Sequence, residues 1–255
     1  MDLFLEAENI TKTFGGVAAI FNLSFATRKG SVYSVIGPNG AGKTTLFNLL
    51  TGIYQPTSGN MRFEGKSLVG QPPHKISKLG ISRTFQTPQI FLNMTVLENT
   101  LVGCHNHGSS GFFSGALSLP SSRKEAARLE EQAMENLVFC GLDHLANRES
   151  DALPYGELKR LEVARALSTK PKLLLMDEPA AGLNDSETGE MGELIRRIQK
   201  LGISVMLVEH NMALVMAVSD GLLVLNYGEY LAEGTPEQIQ NNPKVIEAYL
   251  GMGDD

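Results

Sequence analysis

Apolar residues recur along the chain with two periods, and the two alternate. Phe4 to Ile10 and Ile20 to Phe25 read as strands around the turn Phe14-Gly15-Gly16. Ser31 to Ile36 is a short β-rich run, followed by a predicted helix over Thr44 to Leu50. Gly52 and Pro56-Thr57-Ser58-Gly59 mark a loop, and Asn60 to Glu64 is a further strand ended by Gly65. Gln71-Pro72-Pro73 breaks the chain before a short helical piece. Ile81 to Phe85 is strand-like and delivers Gln86. Met94 to Val102 has helical spacing, with Thr95 placed to cap it.

The composition then shifts. Gly103 to Ser122 holds Gly108-Ser109-Ser110-Gly111, Phe112, Phe113 and Pro120, which predicts a flexible insertion with a small apolar knob. His105 and His107 form an H-x-H pair there with no third ligand near, so a solvated loop is favoured over a metal site. Arg123 to Cys140 reads as a charged amphipathic helix, its inner stripe being Ala126, Leu129, Ala133, Leu137 and Cys140, with Gly141 placed to stop it.

Beyond a helix over Glu157 to Ser168, Lys172 to Met176 is nearly continuous apolar, the pattern of a parallel strand covered on both faces. Ser186 to Leu201 predicts a helix with Met191, Leu194, Ile195, Ile198 and Leu201 inward, and Ile203 to Val208 another buried strand. Gly221 to Asn226 and Glu229 to Ala232 form a hairpin across Tyr227-Gly228, and two short helices split by Pro243 close the chain. Strands alternating with helices imply an α/β core. Neither an internal repeat nor a coiled-coil heptad is visible.

Composition narrows the function classes. A chain of 255 residues suits one large domain or a core with a small subdomain, and scaling implies that roughly 70–75% of the unfolded surface is buried. The two cysteines, Cys104 and Cys140, match no metal spacing, and a core thiol at Cys140 fits a reducing, cytosolic setting. A net charge of −6 argues against nonspecific nucleic-acid binding. No apolar run approaches the roughly 18 residues of a membrane span, and the acid-broken start Met1 to Glu6 does not read as a signal peptide. Any membrane role is therefore expected to come through partners.

The chemistry centres on Gly37-Pro38-Asn39-Gly40-Ala41-Gly42-Lys43-Thr44-Thr45, a G-x-x-x-x-G-K-T loop between a strand and a helix. Such a loop turns backbone N–H groups and a helix N-terminus toward phosphates. Lys43 is then expected at the β- and γ-phosphates of ATP and the Thr44 hydroxyl on Mg²⁺. Four later features narrow the reading. Leu173 to Glu178 is an apolar run ending in two acids, Asp177 to hold Mg²⁺ and Glu178 to act as general base on water. His210 follows the strand Val205 to Val208, where it can touch the γ-phosphate or orient the water. Gln86 can reach Mg²⁺ from a loop. Leu153-Pro154-Tyr155-Gly156-Glu157 opens a helix rich in Lys159, Arg160 and Arg165.

In this order the parts resemble the ATP-binding cassette family over essentially the whole chain. The resemblance implies a P-loop NTPase with a RecA-like mixed sheet core, an antiparallel β subdomain and a helical signature subdomain. It implies one ATP-binding domain over 1–255, with the helical part inserted at about 87–168 and C-terminal helices at 233–255. It further implies a head-to-tail dimer with ATP between the phosphate loop and the other subunit's signature, Phe14 stacked on adenine, and Gly182-Leu183-Asn184-Asp185 as the D-loop along the seam. Pro179 to Asn184, Glu209 to Met212, Leu225 to Gly228 and the tail Glu247 to Gly251 are similar to the ATPase subunits of branched-chain amino-acid importers. That likeness implies a prokaryotic peripheral subunit on the cytoplasmic face of the inner membrane. Its partners would be a second ATPase subunit (the same chain or another), two permeases and, through them, an external binding protein. Another transporter ATPase, such as the lipopolysaccharide-exporter type, a weakly hydrolysing regulatory cassette, and a cassette acting on DNA or ribosomes remain the alternatives.

The signature departs from the family's usual L-S-G-G-Q. Pro154 replaces serine and removes a hydroxyl and an N–H, Tyr155 stands in place of glycine, and Glu157 in place of glutamine is expected to bring negative charge near the phosphates.

Overall fold

The computed structural model describes residues 3–104 and 120–250. The expectations for His105, His107, Phe112 and Phe113 lie outside the described residues. Among the described residues the strands form two sheets. One is antiparallel, in the order β2 (Val17–Thr27), β1 (Leu5–Phe14), β4 (Ser58–Phe63), β5 (Lys66–Ser67). The other runs β10 (Glu229–Gly234), β9 (Gly221–Asn226), β3 (Val32–Ile36), β8 (Ser204–Val208), β7 (Leu173–Asp177), β6 (Ile81–Arg83). All neighbours in this second sheet are parallel except the edge pair of β9 and β10.

Every residue of β3, β7 and β8 is buried, including the polar Ser34, Asp177 and Ser204, as expected of central parallel strands covered on both faces. The strand order has a functional consequence. β8 lies between β3 and β7, with Val208 level with Val35 on one side and with Asp177 on the other. The carboxyl ends of the three strands therefore open into one crevice, where open α/β sheets bind ligands. α1 (Lys43–Leu50) follows β3 directly.

Apolar layers fill both faces of the parallel sheet. Phe47, Phe63, Ile10 and Leu46 lie between it and the antiparallel sheet, while Leu161, Met191, Ile195 and Leu207 lie on the opposite face. Those residues come partly from α5 (Tyr155–Ser168) and α6 (Asp185–Lys200). A third cluster joins Ile36, at the root of the phosphate loop, to Val215 of α7 (Met212–Val218) and Val245 of α9 (Pro243–Leu250). The C-terminal helix thus braces the strand that presents the loop. Two short helices, α2 (Pro73–Leu79) and α8 (Pro236–Gln240), complete this part. Among the described residues no helix is long and apolar enough to cross a membrane.

α3 (Val96–Cys104) and α4 (Pro120–Cys140) pack on α5. Thr95 and Glu98 close a reciprocal capping pair at the start of α3. Fully buried Asn99 ties the segment together. Its amide donates to the carbonyls of Phe91 and Thr95 and to Ser150 Oγ, and its carbonyl accepts from Phe91 N–H.

Several expectations shift. β1 and β2 run right up to their turn, and α3 extends to Cys104 while α4 starts earlier, at Pro120, a residue suited to the first helical turn. The inner stripe of α4 is fully buried only at Ala133, Leu137 and Cys140, whereas Ala126 is exposed and Leu129 half-buried. Burial raises the Cys140 thiol to about 12, as expected of a core cysteine. Leu201 is 60% exposed because it sits at the C-cap of α6, past the last inward turn. α7, only seven residues long, is too short to show a period and was not anticipated. Asn211 caps it by accepting Leu214 N–H.

Replacing Asn99 by leucine keeps the volume but takes the acceptor from Phe91 N–H and a donor from the buried Ser150 hydroxyl, so the change is expected to cost about 1–3 kcal/mol in urea unfolding. Val102→Ala, at an exposed site on the same helix, is expected to stay within about 0.5 kcal/mol.

Candidate functional site

The phosphate loop is shaped by what it leans on. Gly42, at φ +96, caps α1, and a side chain there would press on the Ala19 carbonyl at 2.5 Å and on Ile20 at 2.7 Å. Only glycine lets the loop lie this close to β2. The hairpin tip between β9 and β10 supports the same point, with Gly228 N–H donating to Ala41 O and Phe21 N–H donating to Gly228 O. Ala41 N–H turns back onto Pro38 O, while Asn39, Gly40 and Thr44 are exposed and Thr45 is half-buried. Lys43 Nζ donates to Gly37 O at 2.6 Å and to Pro38 O at 2.9 Å. Burial lowers its pKa, against the pull of the Glu178 and Asp177 carboxylates. Phe14, at the end of β1, is 44% exposed, edge-on to Tyr54 at 5.1 Å with Lys12 Nζ 4.9 Å from its ring centre.

The neighbouring strand ends supply the acids. Asp177 is the last residue of β7, and Glu178 turns out of the strand at φ +48, a conformation most side chains avoid. Its N–H still donates to Val208 O, so the sheet continues while the carboxylate swings away. That carboxylate meets two expected residues. Gln86 Nε2 donates to Oε2 at 2.7 Å, and His210 Nε2 lies 3.2 Å from Oε1. Asp177 is engaged differently, its Oδ2 accepting from Arg83 at 2.6 Å with both side chains almost fully buried.

The signature opens α5. Leu153 is buried, and Pro154 is the N-cap, exposed and with no side-chain cap. Tyr155 does not simply project outward. Its ring faces Gly182, where a Cβ would lie 3.0 Å from the ring edge at a φ of +80. Gly156 lies equally close to Glu187, which forms a capping box with Asn184 at the start of α6. The signature and the segment Gly182-Leu183-Asn184-Asp185 are thus in contact within one chain. Glu157 turns one carboxylate oxygen inward, where it is buried without a hydrogen-bond partner.

Four residues were not singled out in the sequence as site residues. Arg83 bridges Asp177 and Asn48 of α1, its guanidinium 5.5 Å from the Phe47 ring centre and 5.0 Å from that of Phe85. Glu209, buried, accepts N–H bonds from Ala180, His210 and Asn211. Lys159 and Glu162, both buried on α5, bond to main chain around Gln86. The available signal was a charge set between apolar neighbours, as in Leu161-Glu162-Val163, or directly after a strand predicted to be buried, as in Val208-Glu209.

The site fits a nucleotide and a hard cation. A glycine-shaped loop running into a helix N-terminus suits phosphates. Among the described residues no cluster of three or more His, Cys, Asp or Glu could hold a metal alone. Thr44, Gln86 and Asp177 offer hydroxyl, amide and carboxylate oxygens, the sparse set by which Mg²⁺ is bound together with phosphate.

Comparison with known proteins agrees. Residues 231–254 match a family described as branched-chain amino acid ATP-binding cassette transporter. The chain is 46% identical over 248 residues to the high-affinity branched-chain amino acid transport ATP-binding protein BraF of Pseudomonas aeruginosa, covering 97% of each chain. LivG of Escherichia coli K12, with the same described role, is also 46% identical over 97% of each. Among solved structures, the ADP conformation of MJ1267, an ATP-binding cassette of an ABC transporter, superposes with a TM-score of 0.86 at 35% identity, covering 98% of this chain and 100% of that one. A nucleotide-free ATP-binding cassette from an ABC transporter gives a TM-score of 0.82 at 38% identity, covering 97% and 98%. Residues 20–181 match the ABC transporter family, and with the phosphate loop, acidic strand and signature in place the chain belongs to that family, as one of its ATP-hydrolysing subunits.

Proposed function

We propose that this chain is the cytoplasmic-face ATPase of a prokaryotic importer for branched-chain amino acids, working with a second ATPase subunit, two permeases and, through them, an external binding protein. The substrate class rests on the BraF and LivG relatives and on the C-terminal match. The hydrolytic reading rests on one observation, the meeting of Gln86 and His210 on the Glu178 carboxylate.

In this reading Phe14 stacks on adenine, and Gly37 to Thr45 cradle the phosphates with Lys43 at the β- and γ-oxygens. Thr44, Gln86 and Asp177 would hold Mg²⁺, which when bound screens the phosphate charge. Glu178 accepts a proton from the attacking water, whose oxygen bonds to the γ-phosphorus as the bond to the β-phosphate oxygen breaks, leaving ADP and phosphate. His210 orients that water. Leu153 to Glu157 of the other subunit face the same γ-phosphate, and Gly182 to Asp185 line the seam. Without the serine hydroxyl, the first-turn N–H groups of α5 carry that contact. The inward turn of one Glu157 oxygen keeps part of its charge off the phosphates.

The helical part, about 87–168, moves against the core of this single domain. A groove of about 320 Å³ lies between them, lined by Ile53, Ile76, Phe85, Val102 and Arg165. Ile53 and Val102 are exposed there, and we assign the groove to a permease segment that feels motion of the Gln86 loop.

Affinity purification from detergent-solubilised native membrane is expected to recover two different permeases, and recovery of ribosomal proteins instead would reverse the reading. Glu178→Gln is expected to keep ATP binding while lowering turnover by about 10²–10³-fold, with ATP-dependent dimers accumulating in light scattering. In that background Pro154→Ser is expected to tighten ATP-dependent dimerisation by roughly tenfold or more, the worth of one charge-assisted hydrogen bond. An unchanged dimer fraction across an ATP titration would remove the proposed role of position 154.

A further inference from the structure

Lys159 and Glu162 stand three residues apart on α5, on one helical face, and each is 2% exposed. Lys159 Nζ donates to Gln86 O at 2.6 Å and to Glu178 O at 3.0 Å. Glu162 Oε1 accepts from Phe85 N–H at 3.0 Å and from Gln89 N–H at 3.3 Å. Both therefore spend their bonding on main chain. Between them they hold residues 85, 86 and 89 and reach the peptide of Glu178. On the core side the same loop is fixed by Arg83, which packs under Phe85 and pairs with Asp177.

Two buried charges are a poor device for stability alone, since well-packed apolar residues of similar volume often do as well or better. Burial moves the Lys159 pKa down and the Glu162 pKa up, each opposed by the other's charge. What the pair supplies is direction. Lys159 also lies one turn after Tyr155, its Nζ 5.7 Å from that ring's centre. A path of contacts thus runs from the signature, through one ammonium group, to the carbonyls of Gln86 and Glu178.

We propose that Lys159 and Glu162 are positioning residues for hydrolysis, holding the Gln86 loop and the Glu178 peptide to the signature helix so that the three are displaced together. The proposal rests on the reading of Glu178 as the general base, and it adds what places that carboxylate. Neither residue is proposed to touch nucleotide.

The test uses the full chain and ATP turnover. Lys159→Met, which keeps length and removes the ammonium, is expected to lower kcat about tenfold with KM for ATP within about twofold, and Lys159→Arg to restore at least about half of kcat. Hydrogen exchange over residues 85–89 is expected to quicken at least about fivefold in Glu162→Leu, which removes the acceptor of both loop N–H groups, while the helices of the core keep their protection. Parental kcat in Lys159→Met or unchanged exchange at 85–89 would each overturn the proposal. Should Lys159→Met fail to fold, the exchange measurement on Glu162→Leu decides. Glu178→Gln measured alongside separates the two claims, since parental turnover in that variant defeats the reading of Glu178 whatever the Lys159 series shows.

Discussion

Glu178 is bonded through each of its polar groups to a different part of the molecule. Its N–H remains in the sheet on Val208 O, its carbonyl accepts from Lys159 of α5, and its carboxylate meets Gln86 and His210. A left-handed backbone at this residue makes the arrangement fit, at a conformational cost of about 1–3 kcal/mol. An extended residue here would continue the strand and lose the meeting of the three side chains. The order of strands, the site of the signature helix and the loop after β6 all converge on one residue's geometry.

Around this point the fold accepts a concentration of buried charge that an ordinary core avoids. Arg83 and Asp177, Lys159 and Glu162, Lys43 and Glu209 are all withdrawn from water. Each is bonded to an opposite charge or to main chain. Taken together they link α1, β7, α5 and the loop before α7. Such links are directional where apolar contacts are not, so they fix the relative placement of these elements as well as holding them together.

Much of this was legible in the residues. The nearly continuous apolar run of β7 announced a strand covered on both faces, that of β8 a buried strand, and the loop from Gly37 to Thr45 announced its own position between strand and helix. Gln86, Glu178 and His210 were expected at one site and are found in contact. Less visible was everything decided by tertiary neighbours. Nothing local says that Arg83 reaches Asp177, because the partner is remote in sequence and the pairing depends on β6 lying beside β7. Lys159 stood out only as one of three cations on the helix that the signature opens, and the approach of the Gln86 loop makes it a buried donor. Leu201 failed the other way, being apolar and in phase with its helix yet placed where the helix ends.

The contact of Tyr155 with Gly182 ties two segments that would otherwise vary separately. Position 182 is held to glycine twice, by its left-handed backbone and by the ring that a Cβ would meet. A segment grafted here with any side chain at position 182 would therefore bring backbone strain together with a clash against the Tyr155 ring.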